Sequence, residues 1–267
     1  MPNGVVGMVH LRALPGAPGF LGDLSAVEDA ALADAAACFG GGADAVMVEN
    51  YGDVPFLRDQ VPAVTVAAMT RIVDAIRRAH RGRPLGVNVL RNDARSALAI
   101  AAVTGAAFVR VNVLTGAAVT DQGVIEGRAA EVMRLRAALC PDVAVLADIR
   151  VKHSAPLAPR PLADEARDLR LRAGSDALIV SGAATGAEAD PAMLAALRDA
   201  VPDCPLLVGS GTTVDNLSRF TEADGAIVGS TLKQAAAGRP YVSDELVRAY
   251  VAAARFTRPD DPIAEAD

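Results

Sequence analysis

Residues 143–181, "VAVLADIRVKHSAPLAPRPLADEARDLRLRAGSDALIVS", contain one whole unit of the fold. The stretch opens on an apolar run (143–151), crosses a Pro-rich loop (156–161), takes on helical periodicity (162–174) and closes on a second apolar run (176–181). Runs that are apolar on both faces and separated by a helix describe neighbouring parallel strands. The unit repeats in both directions, with further apolar runs at 5–10, 44–49, 85–90, 107–113, 205–210 and 225–230. Eight strands alternating with helices close most naturally into a single (β/α)8 TIM barrel. An open, doubly wound sheet is the competing arrangement, and no GxGxxG follows the first strand to favour it. The barrel is expected over residues 1–256, with 257–267 having the composition of a flexible tail. Ser25 and Glu28 read as a capping box, Gly40, Gly105 and Gly174 as helix stops, and "VDNLSRFTEA" (214–223) as the helix after strand 7. The long stretch 116–127 after strand 4 reads either as a lid or as the start of the next helix, capped by Thr120 or Asp121.

Composition narrows the function. The chain has 267 residues, a formal charge of −6 and 22% charged residues. It lacks a basic run of five or more residues, which argues against a nucleic-acid-binding face. Cys38, Cys140 and Cys204 lie far apart without metal-ligand spacing, so they read as reduced structural thiols of a cytoplasmic protein. The first apolar run is too short for an integral membrane segment, which leaves peripheral association open.

In a barrel, the carboxyl ends of the strands face the active site. Here those ends are polar: His10, Glu49, Asn88, Arg110, Asn112, Asp148 and Ser181, followed by Arg150, Lys152 and His153. Strand alternation puts Asp148, Arg150 and Lys152 on one face. Buried charge is costly unless paired or hydrated, so a polar ligand site is one reading and a structural ion-pair network the other. The same two readings apply to Asn88 and Asn112, as ligand-binding or core hydrogen-bonding groups.

Only two of the 26 basic residues are lysines, Lys152 and Lys233. A lysine kept at a strand end in an arginine-rich chain suggests a need for a primary amine, able to lose a proton or form a Schiff base. His153, Asp148 and Glu49 are the candidate proton carriers. Two Gly/Ser-rich turns follow strands 7 and 8, Gly209–Ser210–Gly211 and Gly229–Ser230, the second with Lys233 nearby. Each precedes a helical segment, so backbone N–H groups and helix N-termini are expected to hold a phosphate there. No cofactor is predicted, and a divalent metal is left open because no His/Asp/Glu set has clear ligand spacing.

Several segments taken in order, "MVHLRALPGAPG", "VENYGDVPF", "GVNVLRNDARSALAIA", "FVRVNVLTGAAVTDQGVIEG", "VKHSAPL", "SDALIVSGAATG" and "VGSGTTVDN", resemble the BtpA/SgcQ family from about residue 5 to about residue 235. The resemblance implies a barrel related to ribulose-phosphate-binding barrels. The family takes its name from a peripheral membrane factor of photosystem I biogenesis, and it carries no settled catalytic assignment to transfer. Arg150 and Ser154 depart from the family pattern around "VKH".

The residues therefore support an enzyme acting on a phosphorylated sugar or nucleoside-like substrate, by aldolase-type lyase or isomerase chemistry, as a homo-oligomer. The alternatives are a non-catalytic, membrane-associated assembly factor and a glycosidic-bond hydrolase using Glu49 with Asp148.

Overall fold

The structure, a computed structural model, describes residues 4–182, 188–236, 239–254 and 256. Eight parallel strands close into a barrel: Gly4–His10, Ala45–Glu49, Leu85–Asn88, Phe108–Val111, Ala144–Ile149, Ala177–Ser181, Leu206–Gly209 and Gly225–Val228. They are called barrel strands 1 to 8. Each pairs with its chain neighbours, and strand 8 returns to strand 1 with Gly4 beside Gly225. Seven fall within the runs read from the sequence, and strand 1 begins one residue before its run, at Gly4. The tail 257–267 lies outside the described residues.

Seven α-helices are described: α1 (Leu24–Gly40), α2 (Ala63–Ala79), α3 (Ala94–Thr104), α4 (Ala129–Leu139), α5 (Leu162–Arg167), α6 (Pro191–Ala200) and α7 (Asp244–Ala253). The outer core lies between helices and strands. A second core fills the barrel itself, from Val6, Met8, Met47, Phe108, Leu146, Ile179, Leu207 and Ile227 among others. Gly86 is required by this filling, because a Cβ there would lie 2.0 Å from the Phe108 ring.

The interior phase sets the site. Two residues beyond an inward apolar side chain, the same face is presented again. Met8 leads to His10, Met47 to Glu49, Gly86 to Asn88, Phe108 to Arg110, Leu146 to Asp148 and Ile179 to Ser181. An apolar layer is thereby capped by a polar one at the carboxyl end. Strand register puts His10 beside Glu49 and Glu49 beside Asn88.

Four local expectations are corrected. Residues 116–127 are not a helix start: Ala117–Thr120 and Gly123–Glu126 are an antiparallel hairpin, extended by Ser154–Pro156 from the next loop. Gly123, with φ of +97°, supplies the backbone its turn needs. The helix read over 214–223 shrinks to a 3₁₀ turn, Leu217–Arg219. After strand 8 comes a 3₁₀ turn, Ser230–Leu232, and then two paired strands, Lys233–Ala236 and Arg239–Val242. No α-helix N-terminus therefore faces either Gly/Ser-rich turn. Ser25 is not the cap of α1; Asp23 is, accepting from the Ala26 N–H at 3.0 Å.

Candidate active site

The polar layer divides into two clusters. On strands 4 to 6, Asp148 accepts both Nε (2.8 Å) and Nη2 (2.7 Å) of Arg110. Asn112 Nδ2 donates to Asp148 Oδ2 at 2.8 Å, and Ser181 Oγ stands 3.5 Å from Oδ1. Arg110, Asn112 and Asp148 are all buried. Burial alone lowers the Arg110 pKa, but the charge and hydrogen bonds of Asp148 outweigh it and the net shift is upward.

On strands 1, 2 and 3, with the strand Lys233–Ala236 that follows strand 8, the groups form a row. Lys233 Nζ lies 2.8 Å from His10 Nδ1, His10 Nε2 lies 3.7 Å from Glu49 Oε1, and Asn88 Nδ2 donates to Glu49 Oε2 at 2.5 Å. The His10 ring stacks on Tyr51 with centroids 4.4 Å apart. Its other side is closed by Gly229, where a Cβ would come within 2.9 Å of His10 Cε1. Burial first, then the cations Lys233, Lys152 and Arg110, push the His10 pKa well below its ordinary value. The imidazole is therefore neutral at pH 7. With the Lys233 ammonium donating to Nδ1, its proton sits on Nε2, towards Glu49.

Lys152 stands between the clusters. It is half-buried, and its carbonyl accepts from Arg91 Nη2 at 2.7 Å. Its pKa is lowered by burial and by Arg110, against the opposing charges of Glu49 and Asp148. Arg110, Lys152, His10, Glu49 and Tyr51 share one cavity of about 90 Å³ with Ser210–Thr213 and Gly229–Thr231. Asn216 shapes the first of these turns, accepting from the Thr213 N–H at 2.7 Å and donating to the Gly211 carbonyl at 2.9 Å. The second is tied to the first by Thr231 Oγ1, which donates to the Thr212 carbonyl at 2.7 Å.

Three sequence assignments fail here. Arg150 was expected in the mouth, but strand 5 ends at Ile149 and Arg150 has φ of +56°, which ends the alternation. Its guanidinium turns outward to Glu165 (3.0 Å) and the Arg160 carbonyl (2.9 Å). His153, with φ of +55°, is exposed and does not line the mouth cavity. Lys233 is directed at His10 rather than at the Gly/Ser-rich turns. Gly209 does not line the mouth cavity, and a Cβ there would lie 3.0 Å from Ile179 Cγ2 and 3.1 Å from Ser181 Oγ. Of the residues lining this cavity, Tyr51 was not read from the sequence. The nearest signal for Tyr51 was its place directly after the Glu49–Asn50 strand end. Among the described residues, no three His, Cys, Asp or Glu groups stand close enough to hold a metal ion. No helix there is long and apolar enough to cross a membrane.

A closed parallel barrel with a charged layer at its carboxyl-end mouth defines a TIM-barrel protein. Solved structures agree on the fold. Phosphoribosyl anthranilate isomerase from Thermus thermophilus superposes with a TM-score of 0.56 at 14% identity, covering 94% of this chain and 97% of that one. The native KDPGal structure superposes with a TM-score of 0.58 at 20% identity, covering 93% of each chain. The chain belongs to the BtpA family, whose profile matches residues 1–255. It is 45% identical over 233 residues to the photosystem I biogenesis protein BtpA of Synechocystis, covering 87% of this chain and 81% of that protein. It is 44% identical over 255 residues to an uncharacterized protein of Thermococcus kodakarensis, covering 95% and 96%.

Proposed function

We propose that this protein is an enzyme acting on a phosphorylated sugar or nucleoside-like substrate, by aldolase-type lyase or isomerase chemistry at a carbonyl. One observation carries the reading. A half-buried lysine with a lowered pKa shares a cavity with a neutral histidine, a carboxylate and two Gly/Ser/Thr-rich turns. Among the described residues the amides of Gly211, Thr212, Ser230 and Thr231 have no hydrogen-bond partner, which suits them to an oxyanion. The phosphate is assigned to these amides, and so to backbone rather than to a helix terminus.

With the phosphate there, the substrate carbonyl falls towards Lys152. The unprotonated amine attacks the carbonyl carbon, the carbinolamine oxygen takes up a proton from solvent and leaves as water, and the protonated imine that forms draws electrons from the adjacent carbon. Glu49 then takes the proton from that carbon, or from the hydroxyl whose loss of a proton cleaves the next carbon–carbon bond. The His10 Nε2 proton, aimed at Glu49, stabilises the carboxylate between transfers. Lys152 is the nucleophile because it lines the cavity, whereas Lys233 is already engaged by His10. The Arg110–Asp148 pair holds a fixed positive edge beside the developing charge.

Borohydride reduction in the presence of sugar phosphates tests the reading. The expected outcome is a substrate-sized mass increase mapped by peptide sequencing to Lys152, absent from Lys152→Ala and from Lys152→Arg. An adduct on Lys233, or one that survives Lys152→Ala, would overturn the assignment.

A further inference from the structure

Lys152 lies on a segment that its own backbone does not hold. Strand 5 ends at Ile149, and the third strand of the hairpin sheet begins only at Ser154. Between them Arg150 and His153 both have left-handed backbone, with φ of +56° and +55°. Among the described residues the backbone of Lys152 makes no hydrogen bond to another backbone group. The side chains before it leave in other directions. Val151 packs with Val113 and with the hairpin residues Ala118 and Ile125, and Arg150 pairs with Glu165 outside.

A side chain from another loop supplies the missing anchor. Arg91 follows strand 3, is buried, and donates from Nη2 to the Lys152 carbonyl at 2.7 Å. Its own place is fixed twice: its N–H donates to the Leu57 carbonyl at 3.1 Å, and the preceding Leu90 N–H donates to Asn50 Oδ1 at 2.7 Å. The loops after strands 2, 3 and 5 are thereby joined at one residue. Arg91 does not line the mouth cavity, whereas Lys152 does, so any effect of Arg91 on chemistry there passes through the lysine. A guanidinium suits the place because it stays charged when buried and donates from a rigid plane. Its charge also opposes protonation of the Lys152 amine, in the same sense as burial and Arg110.

We propose that Arg91 is a positioning residue for Lys152, tying down the loop after strand 5 so that the amine is presented to the mouth cavity. The proposal rests on the reading of Lys152 as the nucleophile. A displacement of about 1 Å takes an amine out of reach of a bound carbonyl, so a freed loop should slow imine formation about tenfold to a hundredfold.

Competitive acetylation with acetic anhydride, followed by peptide mass across a pH series, titrates both lysine amines in the full-length protein. In Arg91→Met the Lys152 midpoint should rise by about 0.5 pH unit or more, because the amine gains water and loses a repelling charge. The Lys233 midpoint should stay in place, since that amine is held by His10. Arg91→Lys keeps a cation and a donor and should return the Lys152 midpoint towards the wild-type value. Borohydride trapping with sugar phosphates at pH 7 should slow in Arg91→Met by the factor above and remain on Lys152. The proposal fails if the Lys152 midpoint does not move, if trapping runs at the wild-type rate, or if both lysine midpoints move together, the mark of a generally loosened mouth. Arg91→Gln, with a shorter polar side chain, makes the same comparison where Arg91→Met does not fold. If borohydride traps nothing in the wild type, the nucleophile reading falls, while the acetylation midpoints need no substrate and still decide whether Arg91 places the amine.

Discussion

Two charged clusters share the barrel mouth and differ in how far their hydrogen bonding is completed. Around Asp148 the carboxylate takes four hydrogen bonds, and its partner Arg110 is buried behind a two-point ion pair. Around His10, proton-bearing groups stand in a row, Lys233 to His10 to Glu49 to Asn88, with the 3.7 Å gap between His10 and Glu49 left open. A carboxylate whose acceptor sites are filled takes no further proton donor and serves as framework. An incompletely bonded row of titratable groups can pass a proton, and Lys152 stands between the two.

The largest expected effect tests the framework. Asp148→Ala leaves a buried guanidinium without its carboxylate and should cost about 3–5 kcal/mol in denaturant unfolding. Arg150→Ala, two residues away in sequence but paired at the surface with Glu165, should cost less than about 1 kcal/mol. Equal losses would erase the distinction between the interior and exterior faces of this strand end.

A smaller effect is expected from Gly229→Ala. Its new Cβ, 2.9 Å from His10 Cε1, must displace a ring already stacked on Tyr51. The strain should be about 1–3 kcal/mol. A wild-type melting curve, together with an unchanged His10 environment in NMR spectra, would show that the ring is not confined as described.

The smallest effect is electrostatic. In Lys233→Met a cation that disfavours imidazolium is removed, so the His10 titration midpoint should rise, yet remain below its ordinary value because burial persists. Proton NMR can follow it, since the chain has only three histidines. The same lowered pKa has a sign for stability. The unfolded chain binds a proton near the ordinary histidine value of 6.5 that the folded chain refuses. The contribution is therefore complete above that pH and lost as pH falls from there towards the folded pKa. An unmoved midpoint in Lys233→Met would separate the two residues energetically despite their 2.8 Å contact.

Much of this was legible in the chain. Each barrel strand is a short apolar run, and its last inward position is polar: Met8 then His10, Met47 then Glu49, Leu146 then Asp148. Period-two alternation is local, so it survives without knowledge of the neighbours. It misled where the strand stopped. Extending the alternation past Ile149 put Arg150 inside the mouth, whereas its left-handed backbone turns it out and leaves Lys152 facing in. The hairpin 117–126 was hidden for another reason: its third strand, Ser154–Pro156, comes from a different loop. Pairing between loops leaves no periodic mark in either one.

By itself the sequence determined the eight strand–helix repeats, and with them the end of the barrel where polar groups gather, because burial of apolar runs and side-chain alternation act over a few residues. Tertiary structure alone decided the partners. Lys233 meets His10 across 223 residues, and Arg110 meets Asp148 across 38. Closure of the barrel brings strand 8 beside strand 1, and only that closure turns a lysine expected at a phosphate into the neighbour of a buried imidazole.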